Sequence, residues 1–182
     1  MMIQFNLIAR IADDKNHFAD FIHAVCEAKN MLNIDVYFTF VGAVQNEGLY
    51  KSLMRMAELL KVDHLIHFTR ESIKYNDLPG HLKKGYFINY CVGNSIGYSS
   101  IESIKQGFKT VFYNVDDRWI HLMMPGVISF CKDQLDLLRI IKEIDADKAM
   151  IDRQIEQENK ALLPHFSLTK QEAELLIGTM VK

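Results

Sequence analysis

The chain has 182 residues, with 21 lysines and arginines against 23 aspartates and glutamates, a formal charge of −2. A hydrophobic fraction of 49% with 24% charged residues is that of a globular domain with a real core, which excludes global disorder. The near-neutral balance excludes a dedicated nucleic-acid binder, and no apolar run approaches the roughly 18 residues needed to cross a bilayer. Ile3–Ala9 reads as a strand, followed by a helix over Lys15–Lys29 with Phe18, Phe21, Ile22 and Val25 at spacings of three and four. Ile34–Val41 is β-branched and aromatic, hence a strand, and Gly42 ends it. Leu49, Leu53, Met56 and Leu60 form a helical stripe, and Leu65–Phe68 is a short strand. A polar stretch with a Pro79-Gly80 breaker leads to strand Tyr86–Val92, then to helix Tyr98–Gln106, closed by Gly107. Thr110–Val115 and Val127–Cys131 are further strands. From residue 132 onward the pattern is helical: Leu135, Leu138, Ile141 and Ile144 in one helix, Lys148–Leu163 in a second stopped by Pro164. Ser167 caps a last one carrying Glu172, Leu175 and Leu176.

Strands interleaved with helices at this spacing predict an α/β fold: a Rossmann-like, doubly wound parallel sheet of about six strands flanked by helices. Near-continuous apolar strands agree, because parallel sheets are covered on both faces. We read residues 1–182 as one domain, with its C-terminal helices from about residue 132. Cys26, Cys91 and Cys131 form no CxxC pair and fit a reducing interior. Met1–Ala12 is too short and too soon charged, at Arg10, for a secretory leader. A cytoplasmic setting is therefore expected.

In such sheets ligands bind beyond the carboxyl ends of the strands, which directs attention to the loops after Ala9, Val41, Phe68, Val92 and Val115. The common fingerprints are missing there: no P-loop, no GxGxxG after the first strand, no HExxH and no GxSxG. Arg10 and Lys15 instead bracket the first strand-to-helix turn, where two cations beside a helix start would favour an anion such as a diphosphate. The plain alternative is a solvated turn. Residues 93–102, GNSIGYSSIE, join a strand to a short helix. The amides of Gly97, Tyr98 and Ser99 would point outward at that helix start, and Glu102 could accept two hydrogen bonds from a ribose diol. The alternative here is a small-residue turn with a dipole-favouring glutamate. Seven scattered histidines show no metal-binding spacing, so no metal is expected.

Taken together, these features resemble the C-terminal, donor-binding domain of group 1 (GT4-like) GT-B glycosyltransferases. Members open this domain with a strand, an arginine and a lysine five residues on, as at Arg10 and Lys15. A strand ending in valine-glycine follows, as at Phe40-Val41-Gly42. Gly97, Glu102, Gly107 and Thr110–Phe112 fall in the places of the family's glutamate-and-glycine signature, and Phe166-Ser167 matches a pair before its last helix. The resemblance implies that Arg10 and Lys15 bind the donor diphosphate and stabilise the leaving nucleotide, while Glu102 holds the ribose. It further implies that Gly97, Tyr98 and Ser99 supply amides, that Thr69 and Arg70 lie where the base stacks, and that no metal cofactor is used. The ligand would be a UDP-, GDP- or ADP-sugar and the acceptor a glycan or glycolipid, as in polysaccharide assembly. An acceptor-binding N-terminal domain or separate subunit would be needed. Membrane association would come through that missing half, and the isolated chain would be inactive. Asn94 stands where the family has the first glutamate of its pair, which contacts the transferred sugar. That substitution opens a second reading, a degenerate, non-catalytic binding or scaffold module.

Overall fold

The structure, a computed structural model, describes residues 2–14, 17–91, 98–115 and 127–166, with backbone alone at 98–100 and 165–166. Six strands pair in parallel in one sheet: β1 Ile3–Ile8, β2 Val36–Val41, β3 Ile66–Phe68, β4 Tyr86–Tyr90, β5 Lys109–Tyr113 and β6 Phe130–Cys131. Their order is β3-β2-β1-β4-β5-β6. The expected Rossmann-like α/β sheet is therefore present. The helices are α1 Phe18–Glu27, α2 Glu47–Leu59, α3 Gly80–Lys83, α4 Tyr98–Lys105, α5 Gln134–Ala146 and α6 Lys148–Leu162.

Alternation along the strands sorts side chains between two faces. Ile3, Phe5 and Leu7 of β1 and Phe38 and Phe40 of β2 join the main core, which the buried stripes of α1 (Phe18, Phe21, Ile22, Val25) and α5 (Leu137, Ile140, Ile141, Ile144) complete. Burying a side chain of this size contributes about 1.5–3 kcal/mol, so these stripes rather than helix propensity hold the helices in place. The opposite face is partly polar. Gln4 reaches Thr39 Oγ1 at 3.1 Å and Asn6 Oδ1 at 2.9 Å, and Asn6 donates to the Leu82 carbonyl at 2.9 Å. All three side chains are buried, and their mutual bonding removes the cost of desolvating them. Beside this network Val41, Leu78, Leu82, Phe87 and Phe108 form a smaller apolar cluster.

The chain departs from the sequence reading in several places. Pro79-Gly80 is not a plain breaker: Pro79 is the N-cap of α3, where its missing N–H costs nothing. Leu65 belongs to a 3₁₀ turn (Asp63–Leu65) rather than to β3, which has three residues. After α1 the chain winds through a wider π-type turn, Ala28–Leu32, and is released by Asn33 at φ 57°. Gly107, at φ 78°, closes α4, and the amides of Gly107 and Phe108 bond back to Ile104 and Ser103. Pro164 does not end the ordered path, which continues as a 3₁₀ turn over Leu163–Phe166. The expected last helix after Ser167 lies outside the described residues. Among the described residues no helix is long and apolar enough to cross a membrane.

Candidate functional site

The strand order places a switch point at the centre of the sheet. From β1 the chain winds outward through β2 to β3, then returns to the other side of β1 and winds outward through β4, β5 and β6. Sheets with such a switch point take ligands beyond their carboxyl edge at that place. Arg10 follows β1, and α4, which carries Glu102, follows β4 in the chain.

Arg10 has a fixed backbone and an exposed side chain. The Ala9 amide donates to Val41 O at 3.0 Å, and the Ile11 amide to Ala43 O at 2.9 Å. Ile11 also bridges Val44 in parallel fashion, and its carbonyl accepts from the amides of Gln45 and Asn46. The β1 segment thus rides directly over the end of β2, and Gly42 makes this possible: a Cβ there would stand 2.1 Å from the Ala9 carbonyl oxygen. The Arg10 guanidinium is 53% exposed and pairs with Asp14 at 3.0 Å. An exposed pair of this kind is weak and exchangeable, so the cation stays available to a stronger anion. Asp13 accepts a hydrogen bond from Asn46, which also caps α2 by accepting from the Leu49 amide at 2.9 Å. The loop carrying Arg10 is thereby tied to the start of α2.

Thr69 and Arg70 follow β3 on the same edge, and each already has partners. The Thr69 hydroxyl accepts from the Gly42 amide at 3.1 Å and donates to Glu71 O at 2.8 Å. Thr69 therefore links the ends of β2 and β3. Arg70, at φ 61°, pairs with Glu47 at 2.6 Å and lies 4.8 Å from the centre of the Tyr50 ring. Its guanidinium is directed onto the first turn of α2.

Glu102 is exposed on α4. The phenol of Tyr75 is pushed up to about 12, mainly by burial and further by the Glu102 carboxylate. The Tyr75 ring stacks on Phe108 at 5.5 Å, and Phe108 on Phe87 at 4.3 Å. This pile joins the segment after β3 to β4 and to the turn that follows α4. Sequence reasoning missed Tyr75, because nothing local marks it; the contact arises from tertiary packing.

A second missed pair lies at the same edge. His17, the N-cap of α1 and 7% exposed, stacks face to face on Tyr90 at the end of β4, with centroids 3.5 Å apart. Burial raises the Tyr90 phenol, and the carboxylate of Asp20 adds to the effect. The stack joins the α1 start to the β4 end across the switch point. Asn114 supports the neighbouring loop by donating to Cys91 O at 2.8 Å. Lys15, Asn94 and Gly97 lie outside the described residues, as do the side chains of Tyr98 and Ser99. Among the described residues no cluster of histidine, cysteine, aspartate and glutamate could hold a metal ion.

The architecture is the Rossmann-like α/β fold found in GT-B glycosyltransferases. Neither a protein-family model nor a curated protein sequence matches the chain. Solved structures do. The HepE protein of Anabaena, in complex with UDP and glucose, superposes with a TM-score of 0.68 at 16% identity over 97% of this chain and 48% of its own. The C-terminal domain of the glycosyl transferase group 1 family protein LpcC of Francisella tularensis gives 0.65 at 12% identity, covering 91% of this chain and 87% of that one. The catalytic domain of cholesterol-α-glucosyltransferase from Helicobacter pylori gives 0.63 at 20%, covering 90% and 98%. The chain thus spans about half the length of HepE.

Proposed function

We propose that this chain is the donor-binding, C-terminal-type domain of a GT4-like glycosyltransferase, and that it binds a nucleotide diphosphate sugar at the β1/β4 switch point. The observation that carries the proposal is the pinned Arg10 loop: a rigid backbone over Gly42 holds an exposed guanidinium just after β1, one of the two strands at the switch point where such sheets take ligands. The fold likeness to HepE, a protein seen with UDP and glucose, supports a uridine donor first, with GDP- and ADP-sugars next.

In this reading Arg10, with Lys15, grips the diphosphate and stabilises the charge that builds on the departing nucleotide. Such electrostatic help contributes several kcal/mol in comparable sites. The amides of Gly97, Tyr98 and Ser99 add to phosphate or sugar binding, and Glu102 takes the ribose diol. The Thr69 hydroxyl is engaged within the fold and its amide donates to Phe40 O, so Thr69 would meet the base through its carbonyl, with Arg70 beside it. No metal takes part. The acceptor comes from another domain or subunit across the cleft, and the isolated chain does not turn over. The setting is cytoplasmic assembly of a glycan or glycolipid. Asn94 favours one competing reading, a binding module without transfer, since an amide in that place brings no charge to the sugar hydroxyls.

Calorimetry with UDP, GDP and ADP tests the proposal. One of the three should bind, and Arg10→Ala and Glu102→Ala should each weaken it by roughly tenfold, the order of one charge-assisted hydrogen bond. A folded sample that binds none of them at millimolar concentration defeats it.

A further inference from the structure

At the carboxyl edge the two halves of the sheet run on separately. The β1–β4 register ends at Leu7 and Ile88. β1 continues beside β2, with Ile8 against Val41 and then Ile11 bridged to Val44. β4 continues beside β5, with Tyr90 against Tyr113, and the Cys91 amide donates to Tyr113 O at 2.8 Å. Each half thus carries its own backbone ladder at the edge where the nucleotide site is proposed. Helix α1 is fastened to the first half: Phe18 meets Phe40 edge-on at 5.6 Å and Phe21 stacks on Phe38 at 5.2 Å. His17, directly before α1, reaches the second half, its ring 3.5 Å from that of Tyr90 and 7° from parallel. Phe21, one helical turn deeper, touches Tyr113 at 5.0 Å, and the His17 stack repeats that link nearer the edge. The imidazole makes no capping bond to α1, although this position favours side chains that do. A nearly coplanar ring pair withdrawn from water is a rigid spacer.

We infer that His17 is a positioning residue of the nucleotide site, a role that rests on the nucleotide-diphosphate reading above. Its stack on Tyr90 sets the spacing between the Arg10 side of the switch point and the end of β4. A nucleotide diphosphate held from both sides then meets both at once. His17 acts through the two halves that it joins, not by touching the ligand. Losing the stack leaves each half folded on its own ladder but lets their separation vary, so contacts made from the two sides no longer coincide.

Calorimetry with UDP, GDP and ADP on the parent first fixes which nucleotide binds. His17→Asn removes the ring while supplying a better helix cap, so α1 is kept. It should bind the same nucleotide about tenfold more weakly, the upper end of what one aromatic pair contributes. His17→Phe keeps a ring on Tyr90 and should bind within about twofold of the parent. Tyr90→Leu removes the other ring, and adding His17→Asn to it should weaken binding no further. A parent that binds with a His17→Asn variant of equal affinity overturns the inference and leaves the nucleotide reading standing, even where the urea midpoint of the variant falls, because the stack then serves folding alone. His17→Phe binding as weakly as His17→Asn overturns it too, since the imidazole itself would then meet the ligand. A folded parent that binds none of the three nucleotides overturns both.

Discussion

Gly42 shows how one residue sets the site. Its missing Cβ lets the Ala9–Arg10 segment cross the end of β2, with the Ala9 carbonyl oxygen 2.1 Å from where that atom would stand. Gly42→Ala must therefore push the loop away. We expect a destabilisation of about 2–3 kcal/mol, the upper range for forcing extra volume into packed structure, read as a lowered urea midpoint with unchanged slope. Gly80→Ala is the control, since nothing lies within 4 Å of a Cβ there; its midpoint should not fall. Equal midpoints for Gly42→Ala and the parent would show that the loop yields freely. At this scale the sequence was half legible. Arg10 could be singled out because a cation directly after a buried strand has little to do for the core. The reason for Gly42 could not, because the clash is with a residue 33 positions earlier, from 42 − 9, and needs the β1–β2 register. The engagement of the Thr69 hydroxyl by Gly42 and Glu71 was hidden for the same reason.

Among the elements, α6 shows how a polar helix is fastened to an apolar sheet. Near its start Asp152 accepts from Lys148 at 2.7 Å and from the Tyr86 hydroxyl, and pairs with Lys109 at 3.0 Å. Further along, Glu158 accepts from the amides of Ile128 and Ser129 at 2.9 and 2.8 Å. Asn159 completes the attachment by bonding both the amide and the carbonyl of Thr110, at 2.7 and 2.9 Å. Burial would raise the Asp152 carboxyl, but the hydrogen bonds from Lys148, Tyr86 and Lys109 outweigh it and hold the group below its ordinary value. A carboxyl lowered on folding adds stability that is fully present above its unfolded value, about 4, and is lost as pH falls through the lower folded one. Asp152→Asn should therefore be less stable than the parent at pH 7, by about 1–2 kcal/mol after solvent screening. The gap should close on acidification toward about pH 2. Urea titrations across that range check it, and a gap that stays constant with pH would count against the ion cluster. The charged surface of α6 reads from sequence as a solvated face; its buried Glu158 and Asn159 could not be told from exposed neighbours, because their partners lie on strand ends about 30 and 49 residues away. The strands were plainer by contrast, since a parallel sheet covered on both faces writes itself as near-continuous apolar runs, interrupted in β1 and β2 by the buried Gln4, Asn6 and Thr39.

For the whole molecule, burial of the thiols offers a test of the packing. Burial pushes the Cys91 thiol up to about 12 and that of Cys131 higher still, so both are protonated and shielded at pH 8. Cys26 is half-buried, with Asn30 as its neighbour at 3.1 Å. Iodoacetamide should label Cys26 alone in the native chain and all three cysteines after unfolding; comparable native rates at Cys91 or Cys131 would contradict the core described above. The sheet order bears finally on how the domain comes into being. β1 is made first and ends as an inner strand, yet one of its two neighbours, β4, is not available until Tyr86–Tyr90 has been synthesised. Until then β1, β2 and β3 can form a three-stranded half-sheet whose β1 edge stays unpaired and whose apolar face lacks α5. An emerging chain of that kind is open to strand pairing with its neighbours, and it closes that edge when the second half of the chain arrives.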